Sequence, residues 1–268
     1  MNNVLAYDRM LGPSAPGLGW VPAPRYLMRR ARIQALMRGV PRGRLLEIGP
    51  GAGALLLENA QLGFQCEALE TSEEARQMVA RLVCESGRSI PLHPAPGEWA
   101  GRFEVVCAFE VLEHIEDDRS ALAQWSSWLK PGGHILLSVP AHMKLWTARD
   151  EWAGHVRRYE RDQFRDVVDR AGLEIEAFEC YGFPLTNLSE WASSPLFARN
   201  IRRDAADAAA NRKLNNDRSG IDRSPDLKLF PLVSSLPGKM ALRTFFAVQD
   251  LFLRTDLGSG YIVKARRS

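Results

Sequence analysis

Along the first two thirds of the chain, short apolar runs alternate with longer stretches in which apolar positions recur every three or four residues. RLLEI (residues 44–48) reads as a short buried strand, and ALLLENAQLG as a helix closed by Gly63. FQCEALE reads as a second strand and TSEEARQMVARLV as a second helix, whose first turn, with Thr71 and Glu74, fits a capping box. FEVVCAF (residues 103–109) is apolar enough throughout to be a central strand. DRSALAQWSSWL then carries apolar residues at 121, 122, 125, 128 and 129, the spacing of an amphipathic helix. KPGG is turn chemistry and HILLSVP another buried strand. ERDQFRDVVDRAG is a helix ending in Gly172, and LEIEAFECYG alternates as a strand. Strands alternating with helices predict an α/β chain with a doubly wound sheet.

The ends of the chain are less regular. Residues 1–43 mix Pro and Gly with one Arg-rich helical piece over residues 25–37. After Gly182 the alternation stops. Residues 199–228 hold eight basic and five acidic side chains among Ala, Asn, Asp and Ser, the composition of a loosely packed insertion. Residues 240–255 form an amphipathic helix whose Phe and Leu line one side, suited to core packing or to peripheral contact with a membrane. GYIVKAR makes a last strand. The expected organisation is a cap segment at 1–43, a core at 44–184 and 259–268, and an insertion or lid at 185–258.

Composition narrows the class. With 268 residues, 46% hydrophobic and 25% charged, the chain is an ordinary globular protein. A formal charge of +3 argues against a long nucleic-acid track. No run approaches the roughly 20 apolar residues of a membrane span, and MNNVLAYDRML lacks the pattern of a signal peptide. Cys66, Cys84, Cys107 and Cys180 show no metal or disulfide spacing and read as buried thiols. A cytoplasmic location is expected.

The chemistry concentrates at LLEIGPGAGALL (residues 45–56). Strand, glycine turn and helix is the geometry in which backbone presses against a ligand, beside the free N–H groups of a helix start. The order Glu47-Ile48-Gly49-Pro50-Gly51-Ala52-Gly53 departs from the dinucleotide fingerprint G-x-G-x-x-G. A second acid, Glu70, ends the next strand, placed to accept both hydroxyls of a ribose. Two acids suit a nucleoside with a cationic tail better than a pyrophosphate.

With LLEIGPGAG, ALETS, FEVVCAFEVLEHIEDD and WLKPGGHILLSVP, the chain resembles class I S-adenosylmethionine-dependent methyltransferases over residues 45–181 and the last strand. The EVLEHI and LKPGG wording is similar to the branch of ubiquinone-biosynthesis O-methyltransferases and other small-molecule enzymes. The resemblance implies a Rossmann-like seven-stranded sheet, S-adenosylmethionine as cofactor and a small-molecule acceptor rather than nucleic acid. It implies that Gly49 and Gly51 admit the methionine part, that Glu47 meets its amino group, that Glu70 holds the ribose, and that Gly53 and Thr71 also bind the cofactor. The backbone near Phe109 would face the methionine end. LHPAPGEW lacks the Asp that the family commonly offers to adenine, which leaves Ala95 or its neighbours for that role.

An acceptor that carries a proton needs a base near the carboxyl ends of the fourth and fifth strands. His142 and His155 are the candidates. Trp20, Tyr26 and Trp146 are candidates to stack on a planar acceptor, and Arg158 and Tyr159 to bind its polar groups. Trp125 and Trp128 read as core. The E-x-x-E-H spacing of Glu110, Glu113 and His114 also suits a divalent ion, although no metal is assigned. The alternatives to small-molecule methylation are metal-dependent RNA 2′-O-methylation and a non-catalytic scaffold that keeps the cofactor fold. The insertion, with residues 202–222 at its centre, is expected to close over the acceptor as a lid.

Overall fold

The computed structural model describes residues 5–192 and 224–268. The expected lid centre, residues 202–222, lies outside them.

The strands are β1 (Ala6–Asp8), β2 (Gly12–Ser14), β3 (Arg44–Ile48), β4 (Gln65–Leu69), β5 (Leu92–His93), β6 (Phe103–Phe109), β7 (Leu129–Pro140), β8 (Leu173–Tyr181) and β9 (Gly260–Arg267). The helices are α1 (Pro24–Leu36), α2 (Ala54–Gln61), α3 (Glu73–Glu85), α4 (Asp118–Trp128), α5 (Ala148–Ala153), α6 (Arg161–Arg170), α7 (Ser224–Ser234) and α8 (Leu236–Phe252). Seven strands form one sheet in the order β5-β4-β3-β6-β7-β9-β8. It is parallel except for β9, which runs antiparallel to both its neighbours. The order reverses between β3 and β6, so their carboxyl ends open a crevice there.

Helices cover both faces, which is why the central strands read as continuous apolar runs rather than alternating ones. On one face Leu27 of α1, Leu56 of α2, Val79 and Leu82 of α3 and Leu242 of α8 share a core. On the other, Leu122, Trp125 and Trp128 of α4 pack with Phe164 and Val167 of α6. Trp125 and Trp128 are core, as their spacing suggested.

Several local expectations change. Residues 1–43 contain the β1–β2 hairpin as well as a helix. The hairpin is held by a buried ion pair, Arg30 Nε to Glu58 at 2.8 Å, with Arg30 Nη1 donating to the Met10 carbonyl at 2.6 Å. Gly12, at φ +76°, sits against that pair, where a Cβ would lie 2.7 Å from Arg30 Nε. Helix α3 is capped by Ser72, which accepts from the Ala75 N–H, because the helix starts at Glu73, two residues past Thr71. KPGG lies inside β7, whose pairing with β6 shifts register between Phe103 and Val105. The loop after β7 contains α5, with a capping box between Thr147 and Asp150. Cys84 is exposed, whereas the other three thiols are buried.

Candidate active site

At the crevice, β3 ends in Ile48 and the chain turns through Gly49 (φ 60°) and Gly51 (φ 56°) into α2. A Cβ at Gly49 would stand 2.7 Å from a Val111 methyl, so the turn needs bare backbone on steric grounds as well as conformational ones. Helix α2 starts without a side-chain cap, and Ala54 and Leu55 of its first turn line the crevice. Two clefts meet here and share Gly49, Gly51, Glu110 and His114.

One cleft is lined by Leu69, Glu70, Thr71, Ile115 and Trp125. Glu70 accepts from the Ser72 N–H at 2.9 Å, which fixes its carboxylate at the end of β4. Ala95 is exposed and does not line this cleft, so the structure gives it no place in adenine binding.

The other cleft runs past Glu47, Phe109, Trp20 and Tyr26. Glu47 is 2% exposed and its Oε2 has no hydrogen-bond partner. Burial pushes its pKa up to about 8; Arg29 opposes the shift and Glu58 adds to it. A buried carboxylate without a donor, beside bare backbone and a helix start, fits the ammonium end of the cofactor that the resemblance implies.

The far wall is built from charges that satisfy one another. Glu110 has φ 59°. It is paired with Arg25, lies 3.4 Å from Arg29 and accepts from the Tyr181 and Ser138 hydroxyls at 2.9 and 3.1 Å. Burial alone would raise its pKa, but Arg25, Arg29 and Tyr181 outweigh it and bring it down to about 2. Arg25 also reaches Glu190 at 3.1 Å, and Glu190 reaches Arg158 at 3.3 Å. Arg158 grips Asp150 with two bonds of 2.8 Å, and Asp150 accepts from His155 Nδ1 at 2.9 Å. The chain of contacts runs from α1 through the cleft to α5. It places His155 in the wall, with Nε2 3.8 Å from Glu113.

Glu113 is fully buried and neither of its carboxylate oxygens has a hydrogen-bond partner among the described residues. Burial, and then the charge of Glu110, push its pKa well above the ordinary range. Glu113, His114 and His155 each offer a ligand atom, all within 4.8 Å of one another. The donor set suits a divalent ion. It differs from the E-x-x-E-H set by having His155 in place of Glu110, which the arginines and Tyr181 hold.

Four expected residues stand elsewhere. His142 is buried behind β7, its Nδ1 3.3 Å from Glu160 and its ring edge-on to Tyr261, outside the cleft lining. Trp146 points to Glu151 at 3.5 Å, and Trp152, six residues on in α5, lines the cleft in its place. Arg158 is 1% exposed and spent on Asp150 and Glu190. Tyr159 is fully buried and donates to Asp118 at 2.7 Å. The latter two support the site from behind and do not face an acceptor. Sequence reading missed Arg25 and Arg29; their spacing of four on α1 puts them on one helix face, which was the available signal.

A family model described as a methyltransferase domain matches residues 23–177. The chain is 39% identical over 100 residues to a ubiquinone biosynthesis O-methyltransferase of Caulobacter vibrioides, covering 35% of this chain and 40% of that protein. It is 32% identical over 106 residues to the protein of that name from Aromatoleum aromaticum, covering 38% and 45%. The matched stretches thus span less than half the length of these relatives. Among solved structures, a methyltransferase-like protein from Bacillus halodurans superposes with a TM-score of 0.54 at 13% identity, over 88% of this chain and 99% of that one. The [4+2]-cyclase SpnF superposes with a TM-score of 0.53 at 17% identity, over 89% and 80%. At these identities the likeness is one of fold, and the fold alone does not fix the chemistry.

Proposed function

The chain belongs to the methyltransferase-domain family, and on that premise we propose that it moves a methyl group from S-adenosylmethionine to an oxygen or nitrogen of a small-molecule acceptor, with His155 as base. The observation that carries this reading is His155 in the cleft wall with Nδ1 held by Asp150 at 2.9 Å. That bond keeps the ring proton on Nδ1 and leaves Nε2 as the basic nitrogen, 3.8 Å from Glu113. Arg158 in turn fixes Asp150. Burial opposes ionisation of Asp150, but its bonds to His155 and Arg158 win and hold it well below the usual carboxylate range. It therefore stays anionic and stabilises the imidazolium that forms when His155 takes the acceptor's proton.

Glu47 would hold the cofactor's ammonium, Gly49 and Gly51 would admit its methionine chain, and Glu70 would accept from its ribose. When bound, the cofactor supplies an electrophilic methyl group on a sulfonium that is already a good leaving group. The chain's own task is then alignment and exclusion of water. Trp20, Tyr26 and Trp152 offer apolar and aromatic wall to a planar acceptor. Incubation with labelled cofactor and metabolite extract, followed by mass spectrometry, tests the reading. Label on a small molecule, lost in His155→Gln, supports it. Cofactor binding with no label on any acceptor would leave the scaffold alternative.

One observation favours a metal-assisted version. The buried carboxylate of Glu113, without a donor, lies beside His114 and His155. These three residues would hold a divalent ion that orients an acceptor hydroxyl and lowers its pKa, and His155 would then be a ligand positioned by Asp150. Titration of EDTA-treated protein with Mg²⁺ or Mn²⁺ in a calorimeter separates the two versions: heat that vanishes in Glu113→Gln identifies the metal site. RNA binding that falls steeply with salt would instead select RNA 2′-O-methylation.

A further inference from the structure

Helix α8 has two unlike faces. Leu242 and Gln249 are buried, and Gln249 locks the helix to the core by accepting from the Gly182 N–H at 2.7 Å and donating to the Met28 carbonyl at 3.2 Å. On the opposite side Leu236, Met240 and Leu251 are 74%, 60% and 78% exposed. Positions 236, 240, 247 and 251 fall within about 60° of one another around the helix. The outward face thus carries Leu236, Met240, Ala247 and Leu251, with Arg243 and Thr244 exposed beside it between Met240 and Ala247. The phenylalanines of α8 are not in it: Phe245, Phe246 and Phe252 are partly buried.

Two arginines flank this stripe. Arg243 is exposed about 20° outside that sector, and Arg254 is exposed two residues past the end of α8. The nearby acids are taken by cations of the core, Asp250 by Arg32 and Asp256 by Arg161, each at 2.8 Å. Among the described residues no carboxylate pairs with Arg243 or Arg254. On α7, Leu229 and Leu232 are 55% and 67% exposed. Beyond the other end of α8, Asn187 ties residues 185–192 to the Leu257 carbonyl at 3.0 Å, and that stretch exposes Leu188 and Trp191.

A monomeric surface seldom shows so many large apolar side chains in one row. A leucine stripe bordered by unpaired arginines has the charge and polarity of a helix lying in a lipid headgroup layer. We propose that the outward face of α8 docks the protein on an anionic membrane surface, parallel to the bilayer and without crossing it. The stretch that exposes Trp191 is tied to the cleft wall, because Glu190, one residue before it, holds both Arg25 and Arg158. Docking needs no step of methyl transfer, so its test stands apart from the catalytic reading.

The test is co-sedimentation of the full chain with vesicles of phosphatidylcholine, with and without phosphatidylglycerol, across a salt series. Binding to the anionic vesicles should exceed that to neutral ones by at least about tenfold and weaken with salt. Met240→Asp with Leu251→Asp should abolish it, and Arg243→Glu with Arg254→Glu should remove the anionic preference. All four positions are exposed, and unchanged affinity for S-adenosylhomocysteine or an unchanged melting temperature checks that each variant folds. Equal binding to both vesicle types, or none to either, would overturn the proposal. So would a dimer by light scattering that Leu251→Asp dissociates, since the stripe would then serve a second copy of the chain.

Discussion

Glu47 and Glu110 end or follow neighbouring strands, line the same cleft, and lie in opposite electrostatic settings. Glu47 keeps one oxygen without a donor and is pushed up to about 8; Glu110 has two guanidiniums and two hydroxyls and is drawn down to about 2. The contrast separates what each wall is for. The wall near Glu47 is made of bare backbone and one acid whose Oε2 has no donor, which leaves it open to a cation from outside. The wall around Glu110 is completed by the protein's own charges, so its work is to hold His155, Glu113 and the aromatic side chains in place.

Stability should depend on pH with opposite sign for the two acids. Glu47 has a folded pKa above its ordinary 4.5, so the folded state holds a proton that the unfolded state releases. Its cost to stability therefore grows as pH rises from 4.5 to about 8 and is constant above that. Glu110 has a folded pKa below 4.5, so its contribution is complete above 4.5 and is lost as pH falls through about 2.

The largest effect should come from breaking the finished wall. Glu110→Ala leaves Arg25 and Arg29 facing each other without their shared anion and should cost about 3 to 5 kcal/mol, read from the denaturant midpoint. Next, His155→Gln should lower turnover by about a hundredfold or more and remove the acidic limb from the pH–rate profile, the limb set by deprotonation of the base. His142→Gln, behind the sheet, should leave that profile's shape intact. On the unfinished wall, Glu47→Gln should weaken S-adenosylhomocysteine binding by about 1.5 to 3 kcal/mol. The same change should raise the melting temperature of ligand-free protein at pH above 8, because a neutral isostere escapes the burial cost. The smallest effect is expected at Glu70→Ala, about tenfold in cofactor affinity with little change in stability.

What the sequence revealed follows the same division. Glu47, the three glycines and Glu70 lie within one strand–turn–helix–strand run, so spacing along the chain reports their spacing in space. The alternation of apolar runs likewise located the sheet, because parallel strands are buried on both faces. The finished wall joins residues 25, 29, 110, 150, 155, 158, 181 and 190, and beyond the Arg25–Arg29 spacing on α1 no local pattern links its parts. For that reason Arg158 and Tyr159 looked like acceptor ligands when their charges and hydroxyl are used inside the fold. Trp146 and Trp152 are six residues apart, and only the position of α5 decides which of them lines the cleft. His142 followed the right strand, yet the chain leaves β7 at φ 63° and carries its ring toward Tyr261.

The central claim is that the unmatched Glu47 carboxyl receives the cofactor's ammonium. Near pH 7 the ligand-free Glu47 is largely protonated, and meeting an ammonium group must ionise it. Titrating S-adenosylhomocysteine into the protein at that pH, in buffers of different ionisation enthalpy, counts the protons exchanged. The account predicts release of about one proton per ligand bound, fading above pH 9 and absent in Glu47→Gln. Tight binding with no proton released, and with the Glu47→Gln variant binding equally well, would contradict it.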